Sequence, residues 1–210
     1  MKITKYEHAC LVAEIGGRTA VIDLGEFSSS FTPSGNIDAV IITHEHSDHF
    51  DPSQIAAIRE HSPNATIFAT ATVAEQIDGA SVPPVGEKLQ VGNFTLEFFG
   101  HDHAAIIDGV VPCDNFGVVV NGELVYAGDS FTLPPLENPA ILALPVSAPW
   151  LKVAESLDYL RKVQPARVFP THDALLSEIG RRITYSWLTK TAGEIGAEFV
   201  NLQVGQSLEV

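Results

Sequence analysis

The stretch Thr43-His44-Glu45-His46-Ser47-Asp48-His49 follows the apolar run Ala39-Val40-Ile41-Ile42 directly. Three imidazoles and an aspartate within this short segment make a poor hydrophobic core. Histidine and aspartate are costly to bury unless a partner compensates for their polarity, and a metal ion is a frequent partner. The segment therefore predicts a metal site at the end of a buried strand.

The spacing of these side chains favours two ions over one. His44 and His46 are two residues apart, so in an extended chain they fall on the same side. Asp48 and His49 come after the strand ends and are free to turn toward a second point. We therefore interpret the chain as a binuclear metallohydrolase and look for the remaining ligands.

The composition predicts one globular domain spanning residues 1–210. The chain has 210 residues, 45% of them hydrophobic, and a formal net charge of −14. This charge argues against binding to nucleic acid or to an anionic membrane surface, because both require a basic face. A small molecule is therefore the expected partner. The charge does not indicate the oligomeric state.

The N-terminal residues and the cysteine content favour a cytoplasmic location. Residues 1–6 read as a strand and do not resemble a signal peptide. Only two cysteines are present, and they lie far apart in the sequence, so no disulfide framework is indicated.

The hydrophobic pattern predicts two β-rich regions that each lead into helices. Gly16-Gly17 and Asn121-Gly122 are expected to form hairpin turns. Asp51 is expected to cap a helix with Pro52 in its first turn and Gln54 completing a capping box. Short helices are predicted over residues 70–77 and 150–163, and Trp187 is placed in the core by its helical spacing. Sheets covered by outer helices are the economical arrangement for these elements.

Further polar residues stand where other predicted strands end. His101 and His103 follow one strand, Asp129 follows a second, and His172 follows a third. Loops at strand ends are where rigid sheets present chemistry. Together these candidate ligands are numerous enough to bind two ions, with Asp129 as a bridging ligand. The predicted sets are His44, His46 and His103 for one ion and Asp48, His49 and His172 for the other.

This ordered set of motifs resembles the metallo-β-lactamase superfamily. The motifs are His44-x-His46-x-Asp48-His49, a later histidine, Gly128-Asp129 and Thr171-His172, preceded by Asp23 at a strand end. The resemblance implies an α/β fold, a four-layer αβ/βα sandwich with a di-metal site at one edge of two sheets. The opening residues 4–10 and the compact length resemble the branch that contains ascorbate-6-phosphate lactonase.

The sequence leaves partly open the roles of His101, His103, His8 and Trp150. His101 and His103 are two residues apart, so either could face the site from an extended chain. The run Gly100-x-x-His103-Ala104 resembles the third-ligand motif of compact hydrolases and favours His103 as the ligand. Asp23 is expected to fix the metal-binding loop by hydrogen bonds. His8 can be a structural histidine or line the pocket. For Trp150, packing is favoured over a place in the pocket wall.

Five imidazoles and two carboxylates without sulfur favour a borderline divalent ion, Zn²⁺ first and Mn²⁺ or Fe²⁺ as alternatives. Water shared between two such ions has a pKa of about 7 and supplies a bridging hydroxide as the nucleophile. Asp48 is the predicted catalytic residue because it can hold this hydroxide in line. The expected reaction is hydrolysis of a small ester, lactone or phosphoester, and an anionic substrate suits the locally cationic site.

Alternative functions differ in the chemistry that they require. A nuclease is disfavoured by the charge of −14, and a flavo-diiron oxygen reductase is disfavoured because His46 stands where that group has a carboxylate. A mononuclear iron dioxygenase that acts on persulfides can share the pattern from His44 to His49. A non-catalytic metal-binding module is the remaining alternative.

Overall fold

The computed structural model describes all residues, Met1–Val210. The strands are β1 (Lys2–Lys5), β2 (Leu11–Ile15), β3 (Arg18–Ile22), β4 (Asn36–Ile42), β5 (Thr66–Ala69), β6 (Lys88–Val91), β7 (Phe94–Phe99), β8 (Gly117–Val120), β9 (Leu124–Tyr126), β10 (Ile141–Pro145), β11 (Arg167–Thr171), β12 (Glu198–Phe199) and β13 (Ser207–Glu209). The helices are α1 (Pro52–His61), α2 (Ala71–Ala74), α3 (Val153–Val163) and α4 (Glu178–Glu194), with a 3₁₀ turn over Asp173–Leu175.

The strands form two mixed sheets whose facing sides share one core. The first sheet has the order β13-β1-β2-β3-β4-β5, and the second has the order β12-β11-β10-β9-β8-β7-β6. The largest core cluster takes Ile22 and Ile41 from the first sheet and Phe98, Tyr126 and Phe169 from the second, all fully buried. The two sheets therefore pack face to face.

Helices cover the outer side of each sheet. Ile55 and Ile58 of α1 pack with Val40 and Ile42 on the first sheet. Leu160 of α3 and residues of α4 pack on the outer side of the second sheet. Neighbouring residues of a strand point to opposite faces, so β4 supplies Ile41 to the inner core and Ile42 to the outer one. The predicted four-layer αβ/βα sandwich is confirmed.

The predicted hairpin turns form as their sequences dictate. Gly16 and Gly17 join β2 to β3 with φ of 56° and 76°, and Asn121 and Gly122 begin the β8–β9 turn with φ of 54° and 66°. Each pair occupies the two central positions of a tight turn that needs positive φ at both, which explains the choice of Gly and Asn. Two residues connect β2 to β3, whereas Glu123 makes the β8–β9 connection one residue longer.

Three local predictions were wrong in detail. The helix predicted over 70–77 extends only over Ala71–Ala74, and the one predicted from Trp150 begins at Val153. Asp51 does cap α1, accepting a hydrogen bond from the Ser53 amide, but the capping box is absent. The Gln54 side chain instead donates to the Gly25 carbonyl at 2.6 Å, because the loop from β3 brings that carbonyl within reach.

Trp187 was predicted in the core but is 49% exposed. The buried face of α4 is formed by Thr184, Leu188, Thr191 and Ala192, which lies beside the stripe that contains Trp187. Helical spacing shows which residues share a face, while the packing of the helix on the sheet decides which face is buried.

No helix combines the length and the apolar character needed to cross a membrane. The interpretation of residues 1–210 as one domain and the cytoplasmic location stay predictions.

Candidate metal centre

The polar residues predicted at the strand ends meet at one edge of the sandwich. They form two groups of donor atoms, and within each group the candidate ligand atoms lie within 4.8 Å of one another. The first cluster is His44, His46, His103 and Asp129. The second cluster is His8, Asp48, His49 and His172.

Each sheet contributes to both clusters through loops at the ends of its strands. The loop between β4 and α1 supplies His44, His46, Asp48 and His49. The second sheet supplies His103 after β7, Asp129 after β9 and His172 after β11, while His8 lies between β1 and β2 of the first sheet. The site therefore depends on the facing of the two sheets.

Asp129 lies between the two clusters. One carboxylate oxygen is 2.8 Å from His172 Nε2 and 3.2 Å from His49 Nε2, and the other is 3.4 Å from His103 Nε2. The side chain is almost fully buried. Asp129 is thus a carboxylate whose two oxygens lie close to imidazoles of both groups.

The imidazole nitrogens converge on each other in a way that suits a shared cation. His49 Nε2 lies 2.9 Å from His172 Nε2, and His44 Nε2 lies 3.1 Å from His46 Nδ1. His103 Nε2 and the Asp129 oxygen nearest to His172 and His49 are buried, and neither makes a hydrogen bond of suitable geometry despite the short distances. Unpaired buried polar atoms are costly, and a metal ion removes that cost. The nitrogen and oxygen donors fit divalent metal ions.

Hydrogen bonds on the outer side of three rings set their tautomers. His103 Nδ1 donates to the Ala104 carbonyl at 2.6 Å, and His49 Nδ1 donates to Asp23 at 2.7 Å. The Thr43 hydroxyl donates to Asp23, so it accepts from His44 Nδ1 at 3.1 Å. In the His44 and His103 rings the Nε2 lone pair is left facing the cluster, as a ligand requires. For His49, burial is outweighed by the Asp129 and Asp23 carboxylates, which raise its pKa well above the ordinary value, so a metal ion at its Nε2 would displace a proton.

Asp23 joins the supports of the two clusters. Its carboxylate accepts the backbone amide of Thr43 at 2.8 Å as well as the Thr43 hydroxyl and His49 Nδ1. The side chain is fully buried. The predicted hydrogen bonds to the loop are therefore present, and they run through Thr43 and His49.

Several residues of the site have unusual backbone conformations. His8, Asp23 and His172 have φ of 59°, 49° and 58°, a region that non-glycine residues adopt rarely. The His172 amide donates to the His8 carbonyl at 2.9 Å, which ties two of these turns together. Gly128, with φ of 61°, has no room for a Cβ because it would lie 2.3 Å from Asn115 Oδ1.

The carboxylates of the site stay ionised. Burial alone would raise the pKa of Asp48, but the hydrogen bond from His8 and the neighbouring imidazoles outweigh it and lower the pKa to about 2. For Asp129, burial is likewise outweighed by His172 and His49, and its pKa lies well below the ordinary value. Burial lowers the pKa of His44, which keeps that imidazole neutral. Ionised carboxylates and neutral imidazoles are the forms that bind metal.

The structure separates the two histidines that the sequence left open. His103 is buried and belongs to the first cluster. The His101 side chain is 76% exposed and lies beside Asp102 and Asp114. The other six predicted ligands, His44, His46, Asp48, His49, Asp129 and His172, all lie in one of the two clusters.

Sequence reasoning missed three contacts of the site. His8 Nε2 lies 2.9 Å from the Asp48 carboxylate, so His8 belongs to the second cluster. Trp150 was assigned to packing, but its indole donates to Asp129 at 2.7 Å. Asn115 accepts the Asp129 amide at 3.0 Å. A single His, Trp or Asn far from the motif has no spacing that would reveal such a contact.

The family model described as "Beta-lactamase superfamily domain" matches residues 2–172, a range that includes both clusters. The chain belongs to the metallo-β-lactamase superfamily. Its relatives include Protein Rv0786c of Mycobacterium tuberculosis, which is 34% identical over 90% of this chain and 92% of that protein.

Two solved structures share the fold of this superfamily member. Igni18, a metallo hydrolase from the archaeon Ignicoccus hospitalis, superposes with a TM-score of 0.74 at 17% identity over 99% of this chain and 97% of that one. CmlA, a diiron β-hydroxylase from Streptomyces venezuelae, superposes with a TM-score of 0.75 at 13% identity and covers 100% of this chain and 54% of its own. At these identities the likeness shows the fold alone.

Proposed function

We propose that the protein is a binuclear metal-dependent hydrolase that acts on a small ester, lactone or phosphoester. The observation that carries the proposal is the convergence of two four-residue clusters, each within 4.8 Å, with Asp129 in contact with imidazoles of both. Membership of the superfamily and the donor chemistry support it.

The proposed ligands are those of the sequence prediction: His44, His46 and His103 for one ion, Asp48, His49 and His172 for the other, and Asp129 between them. Bound divalent ions would supply an activated water and polarise the carbonyl or phosphoryl group of the substrate. Zn²⁺ is proposed first because nitrogen and oxygen donors without sulfur suit it, with Mn²⁺ or Fe²⁺ as alternatives.

The residues around the ligands hold the site in the form that the reaction needs. Asp23 orients the His49 ring, and Trp150 holds one oxygen of Asp129. Asp48, paired with His8, remains ionised and is the proposed group that orients the attacking water. Such outer contacts fix ring orientation and raise the basicity of ligands.

The proposed substrate is a small molecule whose polar or anionic part meets the ions. The protein itself carries a net charge of −14, so an anionic substrate approaches against the overall charge and is attracted only at the site. The resemblance of residues 4–10 to the branch with ascorbate-6-phosphate lactonase supports lactones as members of the test panel.

The test combines metal analysis with a substrate panel. Protein stripped with a chelator is reloaded separately with Zn²⁺, Mn²⁺ or Fe²⁺, and the metal content per chain is measured. Hydrolysis of small esters, lactones and phosphoesters is then followed. His46→Ala removes a proposed ligand, and His61→Ala is the matched control because His61 lies on the surface at the end of α1.

We expect two ions per chain and hydrolysis that disappears on stripping, returns on reloading and is lost in His46→Ala. Hydrolysis that survives complete metal removal would refute the proposal. One iron per chain with consumption of a persulfide would instead support a mononuclear dioxygenase. Metal binding without turnover of any substrate would support a non-catalytic module.

A further inference from the structure

An apolar loop lies directly beside the first cluster. Residues 104–113, Ala-Ala-Ile-Ile-Asp-Gly-Val-Val-Pro-Cys, contain one charged side chain, Asp108, and are called the apolar loop below. Ile106, Ile107, Val110 and Val111 are 48%, 64%, 60% and 89% exposed. Contiguous exposed apolar side chains are uncommon on a protein surface and mark places where a ligand or partner binds.

The base of the apolar loop is fixed to the candidate metal centre. The His103 amide donates to the Cys113 carbonyl at 3.0 Å, and the Asn115 amide donates to the His101 carbonyl at 2.8 Å. The Ala104 amide donates to the carbonyl of Asp129 at 2.8 Å. The position of the loop relative to both clusters is therefore set by backbone hydrogen bonds at its two ends.

A cavity of 160 Å³ lies between the loop and the first cluster. It is lined by His46, His103, Ala104, Ile106, Ile107, Val110, Val111, Pro112 and Cys113. Two of these residues are candidate ligands, so anything bound in the cavity lies against the metal centre.

The chemistry of the lining selects a neutral apolar group. No lysine or arginine lines the cavity. A phosphate or carboxylate placed there would therefore meet no cationic side chain outside the candidate metal centre. The aliphatic side chains and the thiol of Cys113 match carbon groups. A cavity of about 150 Å³ accepts a molecule the size of benzene, which corresponds to roughly four to six carbon atoms.

We propose that the apolar loop forms a subsite that binds a neutral aliphatic or aromatic group of the substrate, about four to six carbon atoms in size, beside the first cluster. The assignment of this group to a substrate rests on the proposed hydrolase function. The subsite would define the size and the polarity of one group of the ester, lactone or phosphoester.

Cys113 allows the subsite to be tested on metal-free protein. This cysteine is partly exposed and lines the cavity, whereas Cys10 is fully buried. The rates of alkylation by N-methylmaleimide and N-cyclohexylmaleimide are measured and divided by the same rates for glutathione. An apolar subsite beside the thiol would raise the cyclohexyl-to-methyl ratio above that of glutathione, by on the order of tenfold.

The matched variants replace exposed apolar residues, so they are not expected to disturb folding. The double variant Ile107→Ser/Val110→Ser changes the wall of the cavity. Val204→Ser is the control, because Val204 is 47% exposed and lies in the loop before β13, away from the cavity lining. We expect the double variant to bring the ratio close to that of glutathione and the control to leave it unchanged.

The second measurement uses reloaded enzyme and two series of esters, one extended on the acyl side and one on the alcohol side. We expect kcat/KM to rise about two- to fourfold per methylene in at least one series, up to roughly six carbons, and to lose this dependence in the double variant. The loss of kcat/KM in the double variant should grow with chain length and be smallest for the shortest ester.

The outcomes separate the subsite from the proposed function. A maleimide ratio equal to that of glutathione would overturn the subsite whether or not the enzyme is active. Hydrolysis without dependence on chain length, or an equal loss for short and long esters in the double variant, would overturn it too. A raised ratio that the double variant abolishes supports the subsite even if no ester is hydrolysed, and in that case only the hydrolase proposal fails.

Discussion

The first and second clusters contain the same kinds of side chain but differ in their support and their surroundings. In the first cluster, His44 and His103 donate to neutral oxygens, the Thr43 hydroxyl and the Ala104 carbonyl. In the second cluster, His49 donates to the buried carboxylate of Asp23. A carboxylate partner makes an imidazole a more basic ligand than a neutral partner does.

The openings of the two clusters differ as well. His46, the partly exposed member of the first cluster, faces the apolar loop. Asp48, the partly exposed member of the second, is paired with His8, whose ring packs edge-on against Phe27 at 5.1 Å. Under the proposed function, we infer that the second cluster would hold a bound ion more firmly, while the first would present a bound ion to the substrate.

The variant expected to have the largest effect is Asp129→Asn, which removes the charge shared by the two clusters. An amide cannot supply two anionic oxygens, so we expect metal content to fall in both clusters and kcat/KM to fall by about 10³-fold or more. Metal analysis and hydrolysis rates test this. Asp158→Asn on the surface of α3 is the control. Full metal content in both clusters would show that Asp129 does not link them.

Asp23→Asn tests the stronger support of the second cluster. It replaces the carboxylate next to His49 with a neutral amide, and we expect metal affinity at the second cluster to fall about 10- to 100-fold. Metal titration against a competing chelator measures the change. Asp38→Asn is the control, since Asp38 is also buried but pairs with Arg18, away from the clusters. A loss confined to the first cluster would contradict the comparison.

His8→Asn tests whether His8 positions Asp48 or binds metal itself. Asparagine tolerates positive φ but is too short to replace the bond from His8 Nε2 to Asp48. We expect two ions per chain to remain and kcat to fall about tenfold, because Asp48 loses its orientation. His61→Asn on the surface is the control. A drop to one ion would make His8 a ligand of the second cluster.

Thr43→Val should have the smallest effect. It removes the neutral acceptor of His44 Nδ1 and the hydroxyl that donates to Asp23, while keeping the shape of the side chain. The neutral hydrogen bond to His44 contributes about 0.5–1.5 kcal/mol, so metal affinity at the first cluster should fall about two- to tenfold. Asp23 keeps its bonds from the Thr43 amide and His49 Nδ1, so the second cluster should lose less affinity than in Asp23→Asn. The same metal titration measures the loss of affinity at the first cluster, which is compared with the loss in Asp23→Asn. A larger loss for Thr43→Val would reverse the ranking of the two supports.

Much of the site could be predicted from the sequence because its signals are local. The pattern from His44 to His49 depends on spacing along one strand and its following loop, and Asp129 and His172 are recognisable as polar residues at strand ends. The buried strands and the hairpin turns also follow from local patterns. Trp187 shows the limit of local patterns. The helix that carries it forms as predicted, but the neighbouring face of that helix is the one that packs on the sheet.

The sequence by itself determined the types of donor, their order along the chain and the strands that carry them. Only the tertiary structure decided that His103 enters the site while His101 stays exposed, and that His8 and Trp150 contact Asp48 and Asp129. The physical reason is that spacing fixes the side of one strand on which a residue lies. Distances between loops of two facing sheets depend on how the sheets pack, which no local pattern specifies.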